Sequence, residues 1–281
     1  MLRKAAIFAA LVGLTLAGPA LAKTTEKHPH AVAWSFDGPF GKFDQAQLQR
    51  GFKVYREVCA ACHSMSLLSY RDLAANGGPF ASAKYPNPNE NPFVKAIASE
   101  VEVADIDSET GDPTTRKATP ADKFRAPYAN EAAGRAANSG AYPPDLSVIT
   151  KAREGGPNYI YAILTGYHDA PQGLTVAPGQ YYNPYFPGDL ESIWTGDKAK
   201  TPVGGLLAMP PPLATDQVTF DDGTKATVAQ EAEDVVAFLA WASEPKQVER
   251  KRTGFAVLIY LVLFAGLLYA SYRRIWKNVA H

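Results

Sequence analysis

The stretch Val58-Cys59-Ala60-Ala61-Cys62-His63 contains both cysteines of this 281-residue chain. Two cysteines separated by two residues and followed directly by histidine form the attachment motif of a c-type haem. Each thiol can add to one vinyl group of the porphyrin, and the adjacent imidazole is placed to coordinate the iron. The motif therefore predicts covalent haem on Cys59 and Cys62, with His63 as an axial ligand.

A cysteine pair of this spacing has three other possible roles besides haem attachment. A structural zinc site needs about four ligands, and the chain has no second cysteine pair to complete one. A thioredoxin-type redox pair needs no adjacent histidine and occurs in a βαβ pattern, which this sequence lacks. A disulfide is the third alternative. The motif, taken together with a secretory leader, favours haem.

Residues 1–22 have the pattern of a secretory signal peptide. Arg3 and Lys4 supply the charged start, 5–16 form an apolar run, and 20–22 form a small-residue cleavage site. A mitochondrial presequence is the alternative, but it would be richer in Arg and Ser. We therefore expect an exported protein whose haem domain, residues 23–252, lies in a bacterial periplasm.

A second apolar run, Gly254 to Tyr272, contains no charged residue. As a helix it would be about 28 Å long, close to the thickness of the bilayer core. Basic residues flank the run on both sides, so their distribution does not decide its orientation. Because the leader directs export, we predict a single-pass anchor at 253–274 in the inner membrane and a cytoplasmic tail at 275–281.

The formal net charge of zero hides an asymmetry along the chain. Of 28 basic and 28 acidic residues, 1–22 hold two basic ones, and 246–281 hold seven basic and one acidic. The remaining 19 basic and 27 acidic residues give the body a net charge of −8. This charge is typical of a solvated surface or of a docking face for a basic partner. The chain has no basic nucleic-acid patch and no phosphate-binding glycine loop.

The pattern of apolar residues predicts a mainly α fold with long loop insertions. A helix capped by Asp44 leads into the haem motif, and Gly51 within it permits close approach of another helix. A second helix begins at Thr227 and ends before Pro245, and the two are expected to cross. A shorter helix is expected near 158–166. The stretch 79–144 is expected to be wrapped loop with one short strand at 101–106.

The second axial ligand follows by elimination. Met1 leaves with the leader, and Met65 lies too close to His63 to reach the opposite face of the ring. Met209 remains, in a proline-rich run that restricts the backbone. The rival histidines are His28, His30 and His168, since His281 is expected to lie across the membrane. A propionate partner would be Arg135 or Arg153, since guanidinium forms bidentate bonds with carboxylates, and the spacing does not choose between them.

These residues resemble the cytochrome c1 family, the membrane-anchored haem subunits of the cytochrome bc1 complex. The resemblance covers nearly all of the mature chain and depends on the order of several motifs. They are Val-Cys-Ala-Ala-Cys-His-Ser-Met at 58–65, Arg-Ala-Ala-Asn-Ser-Gly-Ala-Tyr-Pro-Pro-Asp-Leu-Ser at 135–147, Tyr-Tyr-Asn-Pro-Tyr-Phe-Pro-Gly at 181–188, Ala-Met-Pro-Pro-Pro at 208–212 and Trp-Ala-Ser-Glu-Pro at 241–245. Bacterial members often carry an extra disulfide ahead of the methionine ligand, and this chain lacks those cysteines.

The resemblance implies a cytochrome c-like haem domain with one covalent haem c, whose iron is held by His63 and Met209. It also implies that Arg153 contacts a propionate and that four other residues line the haem pocket: Asn138, Ala141, Pro144 and Tyr159. The implied function is to pass one electron from the Rieske iron–sulfur protein to a cytochrome c. The resemblance further implies that cytochrome b is a partner and that the complex is a dimer. It also implies that this subunit is not catalytic alone.

Three alternatives to this function stay open at the level of sequence. The first is a free-standing membrane-tethered c-type carrier or the haem subunit of a terminal oxidase. The second is a haem enzyme with an open iron site, which would lack the methionine ligand. The third is a non-haem redox or structural module, which would be colourless.

Overall fold

The computed structural model describes residues 26–278. The predicted signal peptide 1–22 and the last three residues of the predicted tail lie outside the described part. Six α-helices follow one another within this range: α1 Gln45–Glu57, α2 Pro92–Ser99, α3 Glu131–Ala137, α4 Gly156–Thr165, α5 Val228–Ser243 and α6 Gln247–Trp276. The same residues form two antiparallel strand pairs: β1 Glu102–Ile106 with β2 Pro113–Lys117, and β3 Tyr181–Asn183 with β4 Gly205–Leu207. The predicted fold class, mainly α with long connections and one C-terminal apolar helix, is confirmed.

Helices α1 and α5 both begin at the predicted capping residues. The Asp44 carboxylate accepts a hydrogen bond from the Gln47 backbone N–H at 2.7 Å. The Thr227 hydroxyl accepts one from the Gln230 backbone N–H at 3.2 Å. Each bond satisfies a donor that the first helical turn leaves without an intrahelical partner, which stabilises the helix start by about 1 kcal/mol.

The crossing of α1 and α5 depends on Gly51. A Cβ atom added there would lie 2.0 Å from the Asp234 carbonyl oxygen and 2.7 Å from the Phe238 Cβ. The expected close approach at this glycine is therefore confirmed, because no side chain fits between the two backbones. Phe238 then packs between α1 rings, with centroids 5.6 Å from Phe52 and 5.7 Å from Tyr55.

A buried ion pair fixes the register of this crossing. The Arg50 guanidinium donates to both carboxylate oxygens of Asp234, at 2.7 Å and 3.0 Å, and to Asp222 at 2.7 Å. The Asp234 side chain is 0% exposed, so its charge depends on this partner. The C-terminal end of α1, which leads directly into the cysteine motif, is thus held firmly against α5.

Replacing Gly51 with alanine should destabilise the domain by about 3 kcal/mol, because the helices must separate to admit the methyl group. The matched control is Gly254→Ala, since a Cβ at that helical glycine meets nothing within 4 Å. Thermal unfolding followed by circular dichroism measures both. Equal melting temperatures for the two variants would contradict the tight crossing.

The stretch 79–144 is more ordered than expected. The short strand predicted at 101–106 is present as β1, but the same stretch also contains α2, β2 and α3. Helix α2 starts because the buried Asn91 side chain accepts from the backbone N–H groups of Phe93 and Val94, with a proline at the first position. Every residue of β2 is exposed, so it shows no alternation from which a strand could be predicted.

Helix α6 is long and apolar enough to cross a membrane. Its most apolar window of 18 residues has a mean hydropathy of 2.2, and none of that window is buried. The helix encloses the predicted anchor 253–274 and continues through Trp276.

Candidate haem site

The cysteine motif forms one compact turn at the end of α1. The backbone N–H groups of Cys62 and His63 both donate to the Cys59 carbonyl, at 3.1 Å and 2.9 Å. Cys59 is half-buried, Cys62 is exposed, and both thiols are free. Burial raises the pKa of Cys59 to about 12, so this thiol stays protonated, unlike the low-pKa thiolates of redox pairs.

The His63 ring is oriented by a backbone carbonyl. Its Nδ1 lies 2.8 Å from the Pro144 oxygen, and the ring donates its Nδ1–H to that acceptor. This bond leaves the Nε2 lone pair available to a metal, the usual arrangement of a ligating histidine. Burial lowers the pKa of His63, and the bond to Pro144 opposes that shift. A neutral imidazole is the form that coordinates iron.

Asp145 fastens the segment after His63 to the loop that carries Pro144. Its carboxylate accepts hydrogen bonds at 2.8 Å from the Ser64 hydroxyl and from the backbone N–H groups of Ser66 and Ser147. The Ser147 hydroxyl in turn accepts from the Leu67 backbone N–H at 3.0 Å. Burial raises the pKa of Asp145, but these hydrogen bonds outweigh it and hold the pKa below its usual range. Asp145 is not among the site residues predicted from the sequence.

Replacing Asp145 with alanine should loosen the Pro144 carbonyl from His63, because the two bonds from Ser64 and Ser66 that hold the two segments together are lost. We expect the protein to keep its haem, lose about 2 kcal/mol of stability and show a shifted reduction potential. Urea unfolding and redox potentiometry measure the two effects. Exposed Asp169 serves as the control through Asp169→Ala, and an Asp145→Ala protein indistinguishable from that control would rule out the orienting role.

Met209 lies two residues after β4, on the edge of a small apolar cluster. The cluster contains buried Ala162 and Ile163 of α4 with Tyr185, and both Tyr159 and Met209 pack against it. The Tyr167 hydroxyl donates to the Met209 carbonyl at 3.0 Å, so the backbone that carries the thioether is held directly.

Hydrogen bonds to carbonyl groups stabilise the loop between β3 and Met209, which has no disulfide. Buried Asn183 donates its side-chain N–H to the Ile163 carbonyl at 2.9 Å, which ties β3 to α4. The Tyr182 hydroxyl donates to the Val203 carbonyl at 2.7 Å, just before β4. These two polar side chains therefore steady the region ahead of Met209.

Asn138 and Ala141, two further predicted pocket residues, lie in the turn that precedes Pro144. Asn138 donates to the Tyr128 hydroxyl at 2.9 Å and to the Gly134 carbonyl at 2.7 Å, and its carbonyl accepts from the Ala141 N–H at 3.0 Å. Together they shape the turn that leads to Pro144.

The two candidate arginines differ in their surroundings. The Arg135 guanidinium forms an ion pair with the Glu131 carboxylate, with 2.6 Å between nitrogen and oxygen. Arg153 is exposed and donates to the Ala152 carbonyl at 3.0 Å. Burial raises the pKa of Tyr159, and the positive charge of Arg153 opposes this shift.

The structure therefore sorts the predicted residues into two groups. Cys59, Cys62, His63 and Pro144 form one group. Tyr159 and Met209, which pack against the same apolar cluster, form the other, and no hydrogen bond within residues 26–278 joins His63 to Met209. Met65 is 0% exposed in the main core, and the rival histidines at 28, 30 and 168 are exposed to solvent. Two thiols, an imidazole with a free Nε2 and a separate thioether are a donor set that fits a c-type haem.

Comparison with known proteins decides the family. The profile of the Cytochrome C1 family matches residues 34–279. The chain belongs to the cytochrome c1 family. It is 41% identical to cytochrome c1 of Rhodospirillum rubrum over 99% of this chain and 98% of that protein. It is 46% identical to the mitochondrial heme protein cytochrome c1 1 of Arabidopsis thaliana. That match covers 88% of this chain and 71% of the Arabidopsis protein.

A third relative is longer than this chain. The cytochrome b/c1 protein of Bradyrhizobium diazoefficiens is 44% identical over 89% of this chain, and the match spans only 36% of that relative. Membership of the cytochrome c1 family confirms the predicted class of function, a haem-binding electron-transfer subunit of the bc1 complex beside cytochrome b and the Rieske protein. Helix α6 fits a single-pass membrane protein. The free-standing carrier and the terminal oxidase subunit find no support.

Proposed function

We propose that Cys59 and Cys62 attach one haem c covalently and that His63 Nε2 and the Met209 sulfur coordinate its iron. The observation that carries this proposal is the hydrogen bond from His63 Nδ1 to the Pro144 carbonyl. His63 directly follows Cys62, the second of two free thiols. When bound, such a haem alternates between ferric and ferrous iron and so holds one electron. A thioether ligand stabilises the ferrous state and raises the reduction potential.

The surrounding residues have supporting roles in this proposal. Pro144 and the Asn138–Ala141 turn keep the histidine ring in one orientation. Arg153 supplies a cation for a propionate. We favour it over Arg135 because the Arg135 guanidinium already binds Glu131, whereas Arg153 donates only to the Ala152 carbonyl among the hydrogen bonds within residues 26–278. The packing of Met209 against α4 keeps water away from the thioether.

We further propose that the chain accepts an electron from the Rieske protein and delivers it to a cytochrome c, in a dimeric complex with the haem domain in the periplasm. The net charge of −8 on the body supports a basic acceptor. Docking of opposite charges is fast and weak, and salt screens it over about 8 Å at physiological ionic strength. Reduction of a basic cytochrome c by the purified complex should therefore slow as salt rises. A rate independent of ionic strength would refute charge steering.

A redox-titrated visible spectrum of the detergent-purified material, with its subunits identified, tests the whole proposal. We expect a c-type spectrum with a single one-electron transition, no carbon monoxide binding to the reduced c-type haem, and copurification of cytochrome b and the Rieske protein. A protein without haem, or a reduced c-type haem that binds carbon monoxide at neutral pH, would overturn the ligand assignment.

A further inference from the structure

An aromatic side chain outside the haem site lies beside the start of the apolar helix. Phe40 is 71% exposed, and its ring meets the Phe255 ring edge to face, with centroids 5.6 Å apart. Phe255 is the second residue of the uncharged run that begins at Gly254. Phe40 is therefore at the same height along α6 as the first apolar residues of the span.

The turn that carries Phe40 is fixed to α6. The Lys251 ammonium donates to the Phe36 carbonyl at 2.6 Å, with the Gly41 carbonyl 3.5 Å away. A Cβ at Gly41 would lie 1.9 Å from the Asp37 carbonyl oxygen, so the turn closes only because residue 41 is glycine. Lys251 thus ties the first turns of α6 to the turn at residues 36–41.

The same turn is also anchored to the haem domain. Phe36 stacks on Trp34 at 5.5 Å and tilts against Phe43 at 4.8 Å between ring centroids. The Trp34 indole N–H donates to the Asn158 side chain of α4 at 2.8 Å. Unlike these residues, which pack inward, Phe40 is largely exposed, and its ring contacts Phe255 on α6.

We propose that Phe40 inserts into the lipid interface beside α6 and gives the haem domain a second contact with the bilayer. A phenylalanine ring is favoured at this depth because it leaves water and is buried at the boundary between the headgroups and the acyl chains. Residues 246–252 carry four basic residues and one acidic one, and exposed Lys42 follows the turn, so the adjoining surface suits anionic headgroups.

A second contact restrains the domain. A single helix can still rotate and tilt in the bilayer, whereas a helix and a neighbouring inserted ring, both fixed to the domain, hold the domain in one orientation. The turn therefore sets the tilt at which the domain is held over the membrane. This inference depends on α6 spanning the membrane and not on which residues bind the iron.

Photocrosslinking in the complete complex, reconstituted into a bilayer of zwitterionic and anionic phospholipids, tests this contact. The photoreactive residue p-benzoylphenylalanine replaces Phe40, and the adducts are identified by mass. We expect lipid adducts at a yield comparable to that at Leu258, which is 62% exposed on α6, and severalfold above that at Phe93 of α2, which is 61% exposed. An adduct with cytochrome b or another subunit, or no adduct where Leu258 reacts, would overturn the proposal.

A second measurement does not depend on the photoreactive residue. The substitution Phe40→Trp adds an indole whose fluorescence should be quenched by brominated lipid chains, whereas that of Phe93→Trp should not be. An unchanged haem spectrum in each variant shows that the domain is folded. Added fluorescence at position 40 that responds only to a water-soluble quencher would place the ring in solvent and overturn the proposal.

Discussion

Replacing Met209 with leucine should leave the haem attached but lower its reduction potential on the order of 0.2 V. Axial ligands move haem potentials over a range of about 0.8 V, so the loss of a thioether is a large part of what the protein controls. The remaining site keeps His63 on Pro144, since no bond within residues 26–278 links that pair to Met209. Potentiometric titration of the c-type haem measures the change, and the reduced variant should now bind carbon monoxide.

Met65 provides the matched control for this experiment. It is 0% exposed in the main core, and a leucine of similar volume should cost less than about 1.5 kcal/mol there. Met65→Leu should therefore keep the original potential and stay closed to carbon monoxide. If the two variants behaved alike, or if Met209→Leu kept the original potential, the iron would have another ligand.

Replacing both Cys59 and Cys62 with serine should abolish covalent haem. Serine hydroxyls are poor nucleophiles toward a vinyl group, so neither thioether can form. Haem staining of the polypeptide after denaturing electrophoresis measures attachment directly, and we expect no stained band and reduced assembly of the complex. Each single replacement leaves one thiol and should give weaker attachment.

Ala61→Ser is the control for the cysteine variants. Ala61 is exposed between the two thiols, so this change adds a hydroxyl to the same turn without removing sulfur. Haem staining should remain at the original level. A stained band of normal strength from the double variant would show that the porphyrin is bound by other side chains.

Local chemistry explains which parts of this molecule were predictable from sequence. The cysteine motif, the caps at Asp44 and Thr227 and the close approach at Gly51 all depend on residues a few positions apart or on the size of one side chain. The length and hydropathy of α6 follow directly from an uncharged run. The sequence signal of each feature is local, even where, as at Gly51, the contact it permits joins distant segments.

The features that sequence reasoning missed depend on contacts between distant segments. Asp145 acts on Ser64 and Ser66, about 80 positions earlier, and nothing near Asp145 indicates that partner. Strand β2 is exposed at every position, so only its pairing with β1 defines it. Helix α2 has a local signal, an asparagine followed by proline, but its eight residues are too short for a clear periodicity.

The pairing of α1 with α5 has a consequence for biogenesis. Arg50 and Asp234, which lock the two helices, are separated by 184 positions, so the domain has a high contact order and closes late. At about 5–20 residues per second, ribosomal synthesis takes roughly 10–40 s to travel from one partner to the other. During that interval the turn at Cys59 and Cys62 has no α5 packed behind it. The nascent chain thus offers both thiols for haem attachment before α5 has packed against α1.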